Sequence, residues 1–186
     1  ADLLLSAREP RELLELVAAA RDNRVPSLVI GGGTNILVAD AGVRGLVIVN
    51  ECRGHMIDQD GMLVAQAGTL LSKLAKRTCA RGWAGLEWAI GIPGTVGGAV
   101  VGKAGAYGGC MTDTVCWVAL AQFDGAVTRV DARELEYGYR TSALKTRKCG
   151  RRPVVLEVGL QLRSGDVEEL SRKIERNRKT FEEPSG

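Results

Sequence analysis

The stretch from Ile90 to Gly109 constrains this chain most, because glycine holds eight of its twenty positions and small or β-branched residues hold most of the others. Flexible linkers interleave glycine with serine, glutamine or asparagine instead, so this run reads as ordered backbone. Without a Cβ, glycine lets main-chain N–H groups approach a large flat or anionic ligand, and it tolerates positive φ where the chain turns. The run either cradles a cofactor or packs tightly as a connection between strands.

A second cluster favours the cradle. Gly31-Gly32-Gly33-Thr34-Asn35 directly follows the apolar run Leu28-Val29-Ile30, so a buried strand ends in a turn whose amides and Asn35 side chain face outward. Two such clusters can close on one ligand from two sides. Neither is a dinucleotide fingerprint: a G-x-G-x-x-G read from Gly31 would need glycine where Ile36 stands, and the chain has no G-x-x-x-x-G-K-[ST] phosphate loop.

Together and in this order, the two clusters resemble the flavoprotein family of UDP-N-acetylenolpyruvoylglucosamine reductases. The matching blocks are Val29 to Val38, Gly85-Leu86-Glu87 with Gly91 to Ala99, Ala104 to Gly109, and Gly138-Tyr139-Arg140-Thr141-Ser142-Ala143-Leu144-Lys145. The resemblance implies an α+β fold of the two-subdomain FAD-binding (PCMH) type, a small βαβ-containing subdomain beside a mainly antiparallel sheet with flanking helices. It puts the first subdomain at 1–50, the second at 51–165, and a helix at 166–186 leading to an absent substrate-binding domain. It also implies FAD as cofactor, with Gly31, Gly32, Gly33, Thr34, Asn35 and Ile36 on one side. Gly91, Ile92, Pro93, Gly94, Thr95, Val96, Gly97, Gly98, Ala104, Gly105 and Tyr107 make up the other. Related oxidases tether flavin to a histidine in the first glycine turn, and none stands there, so the flavin is expected to be non-covalent. On this placement Gly97→Val should weaken FAD uptake by blocking backbone approach.

The family reaction passes hydride from NADPH to FAD, then to the enolpyruvyl double bond of a UDP-sugar, yielding UDP-N-acetylmuramate for peptidoglycan synthesis. By resemblance Arg140 stabilises the developing negative charge, and Tyr139 and Ser142 contact substrate. A guanidinium stays charged at any working pH and offers a planar fork to a carboxylate or enolate oxygen. Read without the family, Arg140 is as well explained by an ion pair with Glu134 or Glu136. The family's proton-donating serine and late glutamate have no counterpart here, and Lys103 stands where the family usually has asparagine, facing either the flavin or solvent. The chain stops at Pro184-Ser185-Gly186, where the family opens a third domain. It is expected to be a fragment of a longer protein or a flavin module lacking that domain. The UDP-sugar would then be met through a domain outside it.

Composition narrows the rest. A chain of 186 residues, 45% hydrophobic, can bury a sizeable core, and 25 basic against 22 acidic residues implies neither nucleic acid nor membrane binding. No apolar run approaches the ~20 residues of a membrane span, which points to the cytoplasm. Cys52, Cys79, Cys110, Cys116 and Cys149 are odd in number and form no C-x-x-C pair, so they read as reduced thiols, and no metal site is expected. His55, the single histidine, excludes multi-histidine metal sites and Ser-His-Asp triads and reads as a surface residue. Periodicity and turn signals predict a buried strand over 2–6, a helix over 10–21, and strands over 27–30, 36–38 and 46–49. Hairpin strands follow at 55–58 and 62–67, then a helix over 69–81. Trp83 and Trp88 read as core. A second hairpin at 115–123 and 126–130 precedes a short helix at 131–137, a strand over 153–163 with one buried face, and a helix from about 166.

Overall fold

The computed structural model describes residues 1–146 and 152–182. Cys149 and Pro184-Ser185-Gly186 fall outside them. Two sheets organise the chain, one parallel and one antiparallel. In the first, β1 (Leu3–Ala7) and β2 (Ser27–Ile30) both run parallel to β3 (Leu46–Asn50), in the order β1-β3-β2. Parallel neighbours cannot be joined by a tight hairpin. Helix α1 (Pro10–Asp22) therefore links β1 to β2, and residues 31–45 carry the chain from β2 back to the start of β3. Pro10 opens α1, where its missing N–H costs nothing. Leu13 and Ala20 then bury against Ala7, Leu46 and Ile48.

Two expectations fail in this layer. The strand at β1 is not buried, since Leu3, Leu4 and Leu5 are 58%, 65% and 44% exposed. It forms an edge, and only Ala7 reaches the core beneath α1. Residues 36–38 form no strand; Leu37 is fully exposed and extended pairing partners are absent there. Three apolar residues in a row satisfy the strand pattern, but the crossover must leave the sheet at this point.

The second sheet is antiparallel throughout, with order β10-β9-β11-β5-β4. Its strands are β4 (His55–Ile57), β5 (Met62–Gln66), β9 (Val115–Ala121), β10 (Val127–Asp131) and β11 (Val154–Gln161). The Asp-Gly turns lie where the sequence placed them. Strand β11 sits centrally and is covered on both faces, not one: Trp117 lies where a side chain on Gly159 would stand, opposite Leu156, Val158 and Leu160. Alternation of apolar with polar residues thus underestimates burial where a neighbour's tryptophan roofs a glycine. Short pairings β6 (Trp83–Ala84) with β12 (Arg163–Ser164), and β7 (Gly105–Ala106) with β8 (Gly109–Cys110), complete the sheets.

Helix α2 (Leu71–Cys79) packs Leu71, Leu74 and Ala75 onto this sheet with Trp88, Val100 and Met111. Residues 131–137 contain a single 3₁₀ turn, Ala132–Leu135, capped by Asp131 and Glu134. Within the long glycine run, Val96–Gly102 is not loop but helix α3. Its intrinsic propensity is poor, so tertiary burial of Val96, Ala99 and Val100, with Thr95 as N-cap, stabilises it.

Helix α3 ends on Lys103 in the left-handed region, φ 47° and ψ 61°. Glycine and asparagine tolerate that conformation at a helix end; lysine does not. An asparagine here, which the resemblance leads one to expect, would suit this helix stop better. Lys103→Asn is expected to raise stability by about 0.5–1 kcal/mol, read as a higher urea midpoint with unchanged slope.

After the short helix α4 (Ala143–Thr146), the last described helix α5 (Val167–Glu182) clamps the 3₁₀ turn Glu87–Ala89. Lys173 Nζ lies 3.1 Å from Glu87 Oε1, and Asn177 Nδ2 donates to the Glu87 carbonyl at 3.0 Å. The Glu87 carboxylate also accepts from the Gly85 amide at 2.6 Å. Burial pushes this group up, yet bonds from the backbone of Glu87 and Gly85 and from Lys173 outweigh it and hold it below the ordinary glutamate range. A depressed carboxylate contributes stability above its unfolded value and loses it as pH falls through the folded one. Stability should therefore fall below about pH 4.5, and Glu87→Gln should flatten that part of the acid slope while lowering stability at pH 7 by about 1–3 kcal/mol. Urea midpoints at pH 7 and pH 3.5 measure both.

Candidate cofactor site

The two glycine clusters touch. A Cβ on Gly31 would overlap the Thr95 side chain, and one on Gly94 would lie 3.1 Å from Thr34 Oγ1. Both contacts join the turn after β2 to the residues just ahead of α3. The turn occupies the carboxyl end of a strand in the parallel sheet, where strand ends leave amides facing outward. The amides of residues 32–36 donate to no backbone or side-chain acceptor among the described residues. Such a run of unanswered N–H donors on exposed residues has the makings of an anion nest.

On the opposite side, Leu70 bridges Thr95, and the Leu71 amide donates to the Gly94 carbonyl at 3.1 Å, so the start of α2 holds this segment. Gly98 and Pro93 are exposed, Ile92 and Gly91 half-buried. Three residues assigned to the cofactor are buried instead, Thr95 among them at 6%, with its hydroxyl turned to the Gly98 amide. Val96 is fully buried in the core, and Gly97 is buried with its amide donating to the Ala67 carbonyl at 2.9 Å. A Cβ on Gly97 would lie 2.8 Å from Ala67 Cβ. Gly97 is small for core packing, not for ligand approach, so the expected effect of Gly97→Val on flavin has the wrong cause. The helical turn that rotates Val96 and Gly97 inward was the missed signal.

Ala104, half-buried, packs against the core, while Gly105 and Tyr107 are exposed on the β7–β8 hairpin. Tyr107 and Gly108, with φ 51° and 76°, turn it in the manner of a type I′ hairpin. The half-buried Gly109 presses on Trp88, which is buried as expected.

The Tyr139–Arg140 turn stands beside α3. Its Gly138 amide donates to the Thr141 carbonyl at 3.1 Å, Arg140 adopts φ 51°, and Lys145 Nζ donates to the Arg140 carbonyl at 3.2 Å. A left-handed arginine is strained, and these bonds keep it so. Its guanidinium is exposed and makes no ion pair among the described residues, neither with Glu134 nor with Glu136; its nearest ring is Tyr139, 5.9 Å from the centroid. Tyr139 is 90% exposed. Ser142 is the opposite case. It is 1% exposed and its hydroxyl donates to the Val101 carbonyl at 2.8 Å, so it pins the turn to α3 and is not open to substrate. A small polar residue in a motif reads equally as ligand or as anchor until burial decides.

A cofactor with a pyrophosphate and a flat ring fits what stands here: unanswered amides on 32–36, the exposed Ile36 at 50%, and bare backbone at Gly94 and Gly98. Among the described residues no helix is long and apolar enough to cross a membrane.

The comparisons agree with this geometry. The family described as FAD binding domain matches residues 1–131. The UDP-N-acetylenolpyruvoylglucosamine reductase of Rubrobacter xylanophilus is 44% identical over 176 residues, 94% of this chain and 58% of that protein. Its counterpart in Gloeobacter violaceus is 42% identical over 89% of this chain and 54% of its own length. The crystal structure of UDP-N-acetylenolpyruvylglucosamine reductase from Thermus caldophilus superimposes with TM-score 0.77 at 33% identity, covering 97% of this chain and 64% of that one. Alkyldihydroxyacetonephosphate synthase, 17% identical with TM-score 0.61, shares the fold alone. The chain thus spans a little over half the length of the curated relatives it matches. With an α+β architecture in which a parallel βαβ layer adjoins an antiparallel sheet, and with most of its length matched, this chain belongs to the FAD-binding domain family.

Proposed function

We propose that this chain is the flavin-holding part of an NADPH-dependent reductase that converts UDP-N-acetylglucosamine enolpyruvate to UDP-N-acetylmuramate, a peptidoglycan precursor, in the cytoplasm. The observation behind the reading is the junction of Gly31 with Thr95 and of Thr34 with Gly94, which brings two glycine-bearing segments to one place. On this reading residues 1–50 and 51–165 are the two halves of the cradle. Residues 166–186 lead to a substrate domain outside this chain, and neither nucleic acid nor membrane takes part.

Non-covalent FAD would be held by the amides of Gly31, Gly32, Gly33, Thr34 and Asn35 at its pyrophosphate, and by Ile36, Gly91, Ile92, Pro93, Gly94, Thr95 and Gly98 along its length. Gly105 and Tyr107 flank that surface. When bound, FAD supplies two-electron hydride chemistry, with NADPH as donor. Arg140 keeps its charge at any pH and, with no ion-pair partner among the described residues, would hold the substrate carboxylate and stabilise an enolate oxygen as it forms. Tyr139 offers a ring and hydroxyl beside it. Ser142 and Lys145 keep the turn in place.

Titration of the protein with FAD, followed by flavin fluorescence, tests this directly. One FAD per chain is expected, and no saturable uptake would refute it. Arg140→Ala should bind FAD within about twofold of the parent, while NADPH-dependent reduction of the UDP-enolpyruvyl sugar falls about a hundredfold.

A further inference from the structure

Beside the proposed flavin junction, across the Leu70–Thr95 bridge, the open edge of the antiparallel sheet carries a concentration of positive charge that the proposed reaction does not use. A cleft of about 240 Å³ lies between edge strand β4 and helix α2. Arg53, His55, Lys73 and Arg77 line it, over an apolar floor of Leu70 and Leu74. The helical positions 70, 73, 74 and 77 fall on one stripe, and His55 faces them from a strand held in register opposite Ala65.

Several exposed cations elsewhere have a carboxylate partner: Arg11 meets Glu15 at 2.8 Å, Arg44 meets Asp2 at 2.8 Å, and Arg178 meets Glu175 at 2.9 Å. Lys73, Lys76, Arg77 and the following Arg81 make no ion pair among the described residues. Lys73 and Arg77 are four apart on one helix, a like-charge spacing that costs helix stability. Lys73 also stands in the first turn of α2, which has no acidic residue and where the helix dipole is already positive. Arg53 shares the single carboxylate of Glu51 with Arg8, at 2.9 and 3.5 Å. Asp58, beyond the end of β4, is committed to the amides of Asp60 and Met62. Gln66, the polar residue facing Gly54 from β5, is neutral. Arg53 and the two α2 cations thus meet His55 in one hollow whose lining holds no acid, and the nearby Glu51 is already shared between Arg53 and Arg8.

We infer that this cleft is a binding site for a small, multiply charged phosphate, separate from the FAD junction, with Arg53, His55, Lys73 and Arg77 as its recognition groups. A bound dianion answers each anomaly at once: it replaces the missing carboxylates, relieves the Lys73–Arg77 repulsion and suits the first turn of α2. Thr69, whose hydroxyl already donates to the Gly54 carbonyl at 3.1 Å, can accept from a protonated ligand oxygen at the cleft edge.

The chain carries its own reporter. His55 is the only histidine, so its ring protons are unambiguous in a proton NMR titration. Burial, then the charges of Arg77 and Arg81, hold its pKa below the ordinary 6.5. With FAD saturating, inorganic pyrophosphate should raise the His55 midpoint by about half a pH unit or more, as an opposite charge does at close range. Sodium chloride at the same ionic strength should move it less. Glycerol 3-phosphate, titrated in parallel, distinguishes a phosphate ester from free polyphosphate, the tighter of the two naming the source.

In Lys73→Gln/Arg77→Gln, two exposed positions without an ion pair among the described residues, the free midpoint should rise by itself and pyrophosphate should no longer shift it. The site is overturned if pyrophosphate does no more than sodium chloride, or if the double variant responds as fully as the parent. A His55 shift of equal size on adding FAD alone would assign the cleft to the flavin's own diphosphate and overturn a separate site. Absence of FAD binding would sink the flavin reading without touching this one.

Discussion

Gly31→Ala is expected to weaken FAD binding about tenfold or more, a loss of about 1.4 kcal/mol, while the protein stays folded. The added methyl would overlap Thr95 Oγ1 and come within 3.0 Å of Cγ2 and 3.2 Å of Cβ. A side-chain rotation clears Oγ1 and Cγ2 but not Cβ, so the turn after β2 must draw away from the start of α3. Rotation also removes the cap that Thr95 gives the Gly98 amide. The core is untouched, because residues 32–40 are exposed throughout. The flavin titration reads the loss, and a double-mutant cycle assigns it. In a Thr95→Ala background, where two of the three clashing atoms are gone, Gly31→Ala should cost measurably less. Equal cost in both backgrounds would separate Gly31 from Thr95, and unchanged affinity would remove the turn from the site.

The largest effect on folding is expected at Gly97. Valine there meets Ala67 Cβ at 2.8 Å and the Ala67 carbonyl oxygen at 3.2 Å, on a buried helix face whose own amide is bonded to that carbonyl. Overpacking against backbone is relieved only by lifting α3 off the end of β5, a cost of about 2–4 kcal/mol. The adjacent Gly98 supplies the contrast. It is exposed, and its nearest neighbour would be Thr95 Oγ1 at 3.5 Å, so Gly98→Ala should be neutral or stabilising by up to about 1 kcal/mol through helix propensity. Urea unfolding of both variants measures the difference. Valine at 97 without loss of stability would mean that α3 does not pack as described.

Much of the architecture was legible because it rests on strong local signals. The Asp-Gly turns set both hairpins, Pro10 set the start of α1, and the hydrophobic spacing of Leu70, Leu71, Leu74 and Ala75 set α2 within two residues. The failures share a cause: local pattern was overruled by tertiary placement. Leu3, Leu4 and Leu5 look like a buried strand, yet their strand is an edge. Val96 and Gly97 sit in a glycine run that suggests loop, yet burial against Ala67 winds them into a helix and turns them from the ligand face. Ser142 lies in the same motif as Tyr139 and Arg140, but a single hydrogen bond to Val101 makes it an anchor. His55 read as an ordinary surface residue because nothing local revealed that α2 would bring two cations opposite it. The exposed turn at residues 32–36 was legible as backbone, since amides there depend on glycine spacing rather than on side-chain direction.

Amide hydrogen exchange with and without FAD tests the central claim most directly, because it reads the backbone itself. If one nucleotide lies between the two segments, amides within residues 31–36 and those at Gly91, Gly94 and Thr95 slow together, at the same FAD concentration. Protection of one segment alone, or of neither while FAD binds, would contradict the account.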